Sequence, residues 1–257
     1  MTYLSRVRIN PLRAESRRLL ASPRALHGAV QGGLPGTSKE RVLWRLDADN
    51  PRRPHLVVLT RSRPDWTHVV ERAGWPDAEG EHALVRDYTP LLAHIVTGRE
   101  FAFRLTANPV QNTTSPLSPT PAQAKRLADV PEGGRPRGFR LAHRTATAQL
   151  NWFLDRTARW GFEVPASRVD PAAPGLTTAP PPDPELASDA REVRITARHR
   201  HSFTKSGRGA HVTFHSATFE GRLRVTDPES LTTHLLTGLG PAKAYGCGLL
   251  TLAPLAG

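Results

Sequence analysis

The stretch "EFAFRLTANP", residues 100–109, decides the fold. Phe101, Phe103 and Leu105 occupy alternate positions, the two-residue period of a strand with one buried face. What precedes it already reads as a complete unit. "TYLSRVRI" (2–9) alternates, with Tyr3, Ser5, Val7 and Ile9 pointing one way and Leu4, Arg6 and Arg8 the other. A polar, arginine-rich stretch leads to Ser22-Pro23, where a hydroxyl cap and a proline in the first turn open a helix. "RVLWRLD" (41–47) and "HLVVLTRS" (55–62) are strands joined through the Asn50-Pro51 turn, "PDWTHVVERAG" (64–74) is a short helix and "ALVRDY" (83–88) a strand. That order, β-α-β-β-α-β, is the ferredoxin-like unit.

A strand at 100–109 starts the order again. "TATAQLNWFLDRTARWGF" (145–162) places Leu150, Phe153, Leu154 and Thr157 at helical spacing. "REVRITARHRHSFT" (191–204) and "AHVTFHSATFEGRLRV" (210–225) form a long hairpin around "KSGRG". Asp227 and Pro228 open a last helix, and "GLLTLAP" (248–254) closes the unit as a strand. The predicted fold is therefore α+β, with two tandem ferredoxin-like (RRM-like, βαββαβ) domains, residues 1–97 and 98–257. Two proline-rich stretches, 111–123 and 171–190, read as loop insertions in the second domain.

Composition narrows the partners. Among 257 residues, 35 Lys and Arg against 23 Asp and Glu leave a net charge of +12, which favours polyanions, nucleic acid before anionic membrane. No stretch approaches the roughly 18 apolar residues of a spanning helix, and the N-terminus lacks the apolar core of a signal peptide. One cysteine, Cys247, excludes an internal disulfide framework and fits a reducing, cytoplasmic setting. His199 and His201 share a strand face without a cysteine or acidic partner, so no metal site is expected.

The charge concentrates in the hairpin. Between Arg191 and His211 lie six Lys/Arg residues and three histidines, against one acid, Glu192. Alternation puts Arg194, Arg198 and Arg200 on one face, and the turn adds Lys205 and Arg208. Such a ribbon can enter a groove and neutralise phosphates on both walls; the competing reading is a charged edge that resists aggregation. A glycine-rich loop follows, "GLGPAKAYGCGLLTLAP" (238–254), with Gly238, Gly240, Gly246 and Gly248 around Lys243. Glycines there allow backbone N–H groups to approach phosphate, with the lysine as a point charge. No Gly-Lys-Ser/Thr opens a helix, so it is not a Walker loop.

This loop with the preceding "FEGRLRVTDPESL" resembles the C-terminal signature of the CasE family, the CRISPR repeat-processing endoribonucleases of type I-E systems. "LSRVRINP", the "SPRALHGAV" helix opening (22–30), "RVLWRLD" and "FRLTANPV" follow in the family's order. The resemblance implies cofactor-free, metal-independent cutting of repeat stem-loops in CRISPR precursor RNA, retention of the mature guide RNA, and assembly with other Cascade subunits. It places the catalytic histidine on His27. The glycine-rich loop matches 238–248, and the RNA-gripping hairpin corresponds to the 191–211 region. Some relatives carry a tyrosine three residues before the histidine; here that position is Arg24, to which a charge-stabilising role is assigned, since guanidinium cannot serve as a base but can hold phosphate. Lys39, Arg41 and Lys243 are further candidate cations at the scissile phosphate.

RNA supplies its own nucleophile, the 2′-OH, so the protein must align it, move its proton and stabilise charge. The expected products are a 2′,3′-cyclic phosphate and a 5′-OH. The alternative function is a non-catalytic RNA-hairpin-binding module with tandem RRM-like domains; against it, the strands show no clear exposed aromatic pair for stacking bases. A membrane-surface protein is disfavoured because the best amphipathic helix, 145–160, carries only Arg156 and Arg159 as bases. The five tryptophans are assigned to the core. The nuclease reading requires His27 and the distant basic ribbon to share one continuous cationic surface.

Overall fold

The computed structural model describes residues 1–36, 40–116, 118–131, 134, 138–167, 191–204 and 211–255. It is a mixed helix-and-sheet, α+β fold built on two antiparallel sheets. The first carries β1 (Tyr3–Arg8), β2 (Leu43–Asp47), β3 (His55–Thr60) and β4 (Ala83–Asp87), in the order β2-β3-β1-β4. Helices α1 (Ala14–Leu20), α2 (Pro23–Gln31) and α3 (Thr67–Ala73) cover one of its faces. Val7, Ile9, Trp44, Leu56 and Val58 meet Leu19, Leu26, Val30 and Val69 there.

After the short α4 (Thr89–Ala93) the second sheet begins with β5 (Glu100–Ala107). A side hairpin of β6 (Val110–Thr113) and β7 (Phe139–Ala142) frames α5 (Pro121–Ala128), and α6 (Ala146–Thr157) leads to β8 (Phe162–Glu163). The long strands β9 (Val193–Thr204) and β10 (His211–Val225), then α7 (Pro228–Thr237) and β11 (Leu250–Ala253), complete the chain. The order is β11-β5-β10-β8, with β9 pairing farther along β10. Counting β8 and β9 as one divided edge strand, the two sheets run in the same order. Phe101, Phe103, Leu105, Phe153, Phe162 and Phe219 make the second core, with Phe153 stacked on Phe219 at 4.7 Å.

A third apolar cluster, Leu43, Val57, Leu59, Tyr88 and Leu249, lies between the halves. Arg45 pins them together. Only 3% exposed, it binds Asp47 through two nitrogens at 2.6 and 3.0 Å. It also donates to the carbonyls of Arg104 and Leu249 and to the Thr251 hydroxyl, all within 3.1 Å. A buried guanidinium is tolerated because nearly every donor has a partner.

Three expectations change. The arginine-rich stretch before Ser22 is helix α1, held by the Ser16 hydroxyl donating to the Ala73 carbonyl at 2.8 Å; only Ser16 and Leu19 on it are buried, too thin a stripe to read as amphipathic. The proline-rich stretch 111–123 is not all loop. Val110–Thr113 is paired in β6, and Thr120 with Gln123 forms a capping box that starts α5. On α6 the inward face includes Gln149 and Trp152 beside Phe153 and Thr157, while Leu150 and Leu154 are only half-buried. The 171–190 insertion lies outside the described residues. Trp44, Trp66, Trp152 and Trp160 are buried, as expected, but Trp75 is only half-buried and joins none of the core clusters.

Candidate active site

The start of α2 is set locally. The Ser22 hydroxyl accepts from the Ala25 N–H at 3.3 Å and Pro23 occupies the first turn. Its rotation is set by packing: Leu26 and Val30, both at 3% exposure or less, point into the first core, worth about 1.5–3 kcal/mol each. From the next helix across, the His68 imidazole contacts the Ala29 carbonyl at 3.0 Å. With that stripe buried, the adjacent one, His27 and Gln31, faces the other way.

It faces the glycine-rich loop. His27, Gln31, Glu40, Arg41 and Val42 line one side of a cavity of about 610 Å³, and residues 240–244 line the other. His27 is half-buried and its Nδ1 has no hydrogen-bond partner among the described residues. Burial lowers its pKa from the usual 6.5, so the imidazole is neutral and able to take a proton at neutral pH. Lys243 is also lowered, first by burial and then by the Arg41 guanidinium. The Glu40 carboxylate accepts from the Arg61 and Ser62 N–H groups. A neutral base, two cations and an amide thus converge on a space large enough for a phosphodiester.

The glycines act differently from the expectation. The N–H groups of Gly238, Gly246 and Gly248 donate to the carbonyls of His234, Lys243 and Thr106, so they are not available to phosphate. Their value is spatial. A β-carbon on Gly246 (φ +83°) would lie 2.8 Å from the Trp44 ring, and one on Gly238 (φ +80°) 2.6 Å from Leu43 and 3.1 Å from the Lys243 Cε. Bare backbone lets the loop close on β2 and lets the lysine stem lie across it. Gly240 lines the cavity.

Arg24 sits three residues before His27 but is exposed and borders a separate hollow of about 680 Å³ with Glu15, Arg18, Gly28, His68 and Arg72. It does not line the His27 cavity. Lys39, Lys205 and Arg208 lie outside the described residues.

The basic ribbon is present, but its faces differ from simple alternation. β9 pairs Arg194 with Glu220, Ile195 with Phe219, Ala197 with Thr218, Arg198 with Ala217 and Arg200 with His215, with a register shift at Thr218/Phe219. Because cross-strand partners share a face, the bulge turns Arg194 to the opposite side from Arg198 and Arg200. Arg194 pairs with Glu220 at 3.5 Å. Arg198 donates to the Gln149 Oε1 at 2.9 Å and to the Arg144 carbonyl, tying the ribbon to α6. Arg200 is exposed and makes no ion pair among the described residues. On the Arg194 side, His199, His201 and Phe203 run toward the glycine-rich loop, where Phe203 and Phe214 touch Tyr245. The His27 cavity and the ribbon are therefore joined through the Lys243–Tyr245 turn, a 3₁₀ turn against which α2 packs.

Sequence reasoning missed Gln31, whose i+4 spacing from His27 was the available signal, and Tyr245, whose contact with β9 and β10 has no local signature. Among the described residues, no three His, Cys, Asp or Glu side chains group as a ligand set, and no helix is long and apolar enough to cross a membrane.

The fold has recognisable kin. The family model described as "CRISPR associated protein" matches residues 2–254, and the chain belongs to that family. It is 28% identical over 256 residues to the CRISPR-associated endoribonuclease Cse3 of Thermus thermophilus, covering 98% of this chain and 100% of the relative. It is 46% identical over 216 residues to the CRISPR system Cascade subunit CasE of Escherichia coli, covering 83% and 89%. Among solved structures, Thermus thermophilus Cse3 bound to an RNA representing a pre-cleavage complex is similar with a TM-score of 0.68 at 26% identity, over 98% of this chain and 99% of that one.

Proposed function

We propose that this chain is a metal-independent endoribonuclease that cuts CRISPR precursor RNA at repeat stem-loops, keeps the guide RNA it produces, and sits among other subunits of a Cascade-type complex. The identities of its relatives, an endoribonuclease and a Cascade subunit, support that reading. The observation that carries it is the convergence of His27 and Lys243, from opposite ends of the chain, on one cavity. We read the architecture as two tandem ferredoxin-like domains, residues 1–97 and 98–257; the matching strand orders support this.

In the proposed reaction His27 accepts the proton of the 2′-OH. The 2′-oxygen attacks the adjacent phosphorus to form a 2′,3′-cyclic phosphate, the bond to the 5′-oxygen breaks, and that oxygen takes the proton His27 removed and leaves as a 5′-OH, which returns the imidazole to its neutral form. Proton transfer of this kind contributes roughly 10²–10⁴-fold. Lys243 and Arg41 stabilise the charge that develops on the phosphoryl oxygens. Arg24, in the neighbouring hollow with Arg18 and Arg72, contacts the strand as it passes the helix start. Arg200 and Arg198 grip the stem, together with Lys205 and Arg208, which lie between β9 and β10 in the sequence, and Arg194 lies on the ribbon's other face.

The test is cleavage of the repeat stem-loop in EDTA by wild type and His27→Ala, with affinity measured in parallel. Loss of cleavage with retained binding, and loss of cleavage on a 2′-deoxy substrate, are the expected results. A wild-type protein that binds its repeat and leaves it intact establishes the RNA-binding module instead.

A further inference from the structure

One feature of the ribbon is unused by this chemistry. On the Arg194 face, His201 stacks on Phe214 with centroids 4.5 Å apart at 18°, and Phe214 stacks on Tyr245 at 5.7 Å and 23°. Phe203 meets Tyr245 edge-on at 5.0 Å and 69°. Of these rings only Phe214 is buried; His201, Phe203 and Tyr245 stay half-exposed. The His201 Nε2 is held by the Ser216 hydroxyl at 2.8 Å, and burial brings its pKa down to about 4, so at neutral pH the row is an uncharged π-surface inside a strongly cationic ribbon.

Its position is what gives it a use. Tyr245 shares a 3₁₀ turn with Lys243, and residues two apart in such a turn point about 120° apart around its axis. Lys243 is aimed into the cavity and Tyr245 at the ribbon, as a nucleotide directs its phosphate one way and its base another. We infer that Tyr245, backed by Phe203 and Phe214, is a stacking site for the unpaired base next to the scissile phosphate. This inference rests on the nuclease reading above. The ligand class is a splayed-out nucleobase, which stacks on aromatic rings without base selectivity, so the site fixes the position of the cut rather than its sequence.

The test uses the full chain and an uncleavable repeat stem-loop carrying a 2′-deoxy block. With 2-aminopurine on either side of the blocked phosphate, wild type quenches the fluorescence at one of the two positions and Tyr245→Leu does not. An abasic site at that position weakens wild-type binding by about 5- to 150-fold. Tyr245→Phe behaves as wild type, whereas Tyr245→Leu binds intact and abasic RNA equally. The abasic comparison needs only wild-type protein, so it stands even if the leucine variant misfolds. Unquenched probe at both positions, or equal wild-type affinity for intact and abasic RNA while the unblocked substrate is still cut, overturns the stacking site and leaves the nuclease reading in place. Failure of wild type to cut the unblocked substrate strikes the nuclease reading itself.

Discussion

Replacing Arg45 by methionine tests whether the two halves are aligned by a buried polar bolt. The substitution keeps an unbranched stem but removes donors that serve the Asp47 carboxylate, the carbonyls of Arg104 and Leu249 and the Thr251 hydroxyl. The losses are unequal. Asp47 keeps the Arg104 guanidinium at 3.3 Å, and the Arg104 carbonyl keeps the Thr251 hydroxyl at 3.3 Å. The Leu249 carbonyl, on a residue only 1% exposed, loses the donor described for it. Breaking one partner of a buried pair costs about 3–5 kcal/mol, and the remaining contacts put this site near the lower end, about 3 kcal/mol. At roughly 2–4 °C per kcal/mol for a chain of this size, thermal denaturation should show Tm lowered by about 6–12 °C. Arg45→Lys, which restores only part of the fork, should fall between. Leu249 follows the glycine-rich loop, so loosening it moves Lys243 relative to His27, and kcat should drop more than KM rises. A methionine variant with Tm within about 2 °C of wild type and unchanged kcat would refute this reasoning.

Three other outcomes follow from the site. Gly246→Ala forces a β-carbon toward the Trp44 ring at a left-handed φ; overpacking and backbone strain together cost about 2–5 kcal/mol, read as a lower denaturation midpoint with cleavage reduced in parallel. Burial holds His27 below 6.5, and Lys243 below its usual 10.5. The plot of kcat/KM against pH should therefore rise through an inflection below 6.5, stay level through neutrality, and bend down below 10.5 if Lys243 acts as a cation; an acid limb centred above 7 contradicts the base assignment. Because Arg200 carries no ion pair among the described residues, Arg200→Ala should weaken binding across RNA sequences and reduce the slope of log K against log salt by about 0.7–0.9. An unchanged slope removes Arg200 from the phosphate contacts.

Much of this molecule is written locally. Ser22-Pro23 caps α2 through atoms three residues apart, and the alternation in β1 and β5 states which side chains turn inward, because strand period and helix caps are properties of neighbouring residues. The repeated element order and the excess of cations also follow from the chain alone, and with them the class of partner. Other features depend on distant residues meeting. The bulge opposite Thr218 and Phe219 turns Arg194 away from Arg198 and Arg200, and nothing in "VRITARHR" announces it, since a bulge is a mismatch between two strands. Arg24 and His27 share a helical spacing yet border different hollows, because the packing of α1 and α3 on one side of α2 and of the glycine-rich loop on the other divides the space between them. The four glycines read as phosphate donors; at Gly238, Gly246 and Gly248 the Leu43 and Trp44 side chains and the Lys243 stem claim that space instead, and only Gly240 borders the cavity. Sequence could name His27 and Lys243 separately, but only the closing of one half on the other, through Arg45 and the cluster around Leu249, puts them across a single cavity.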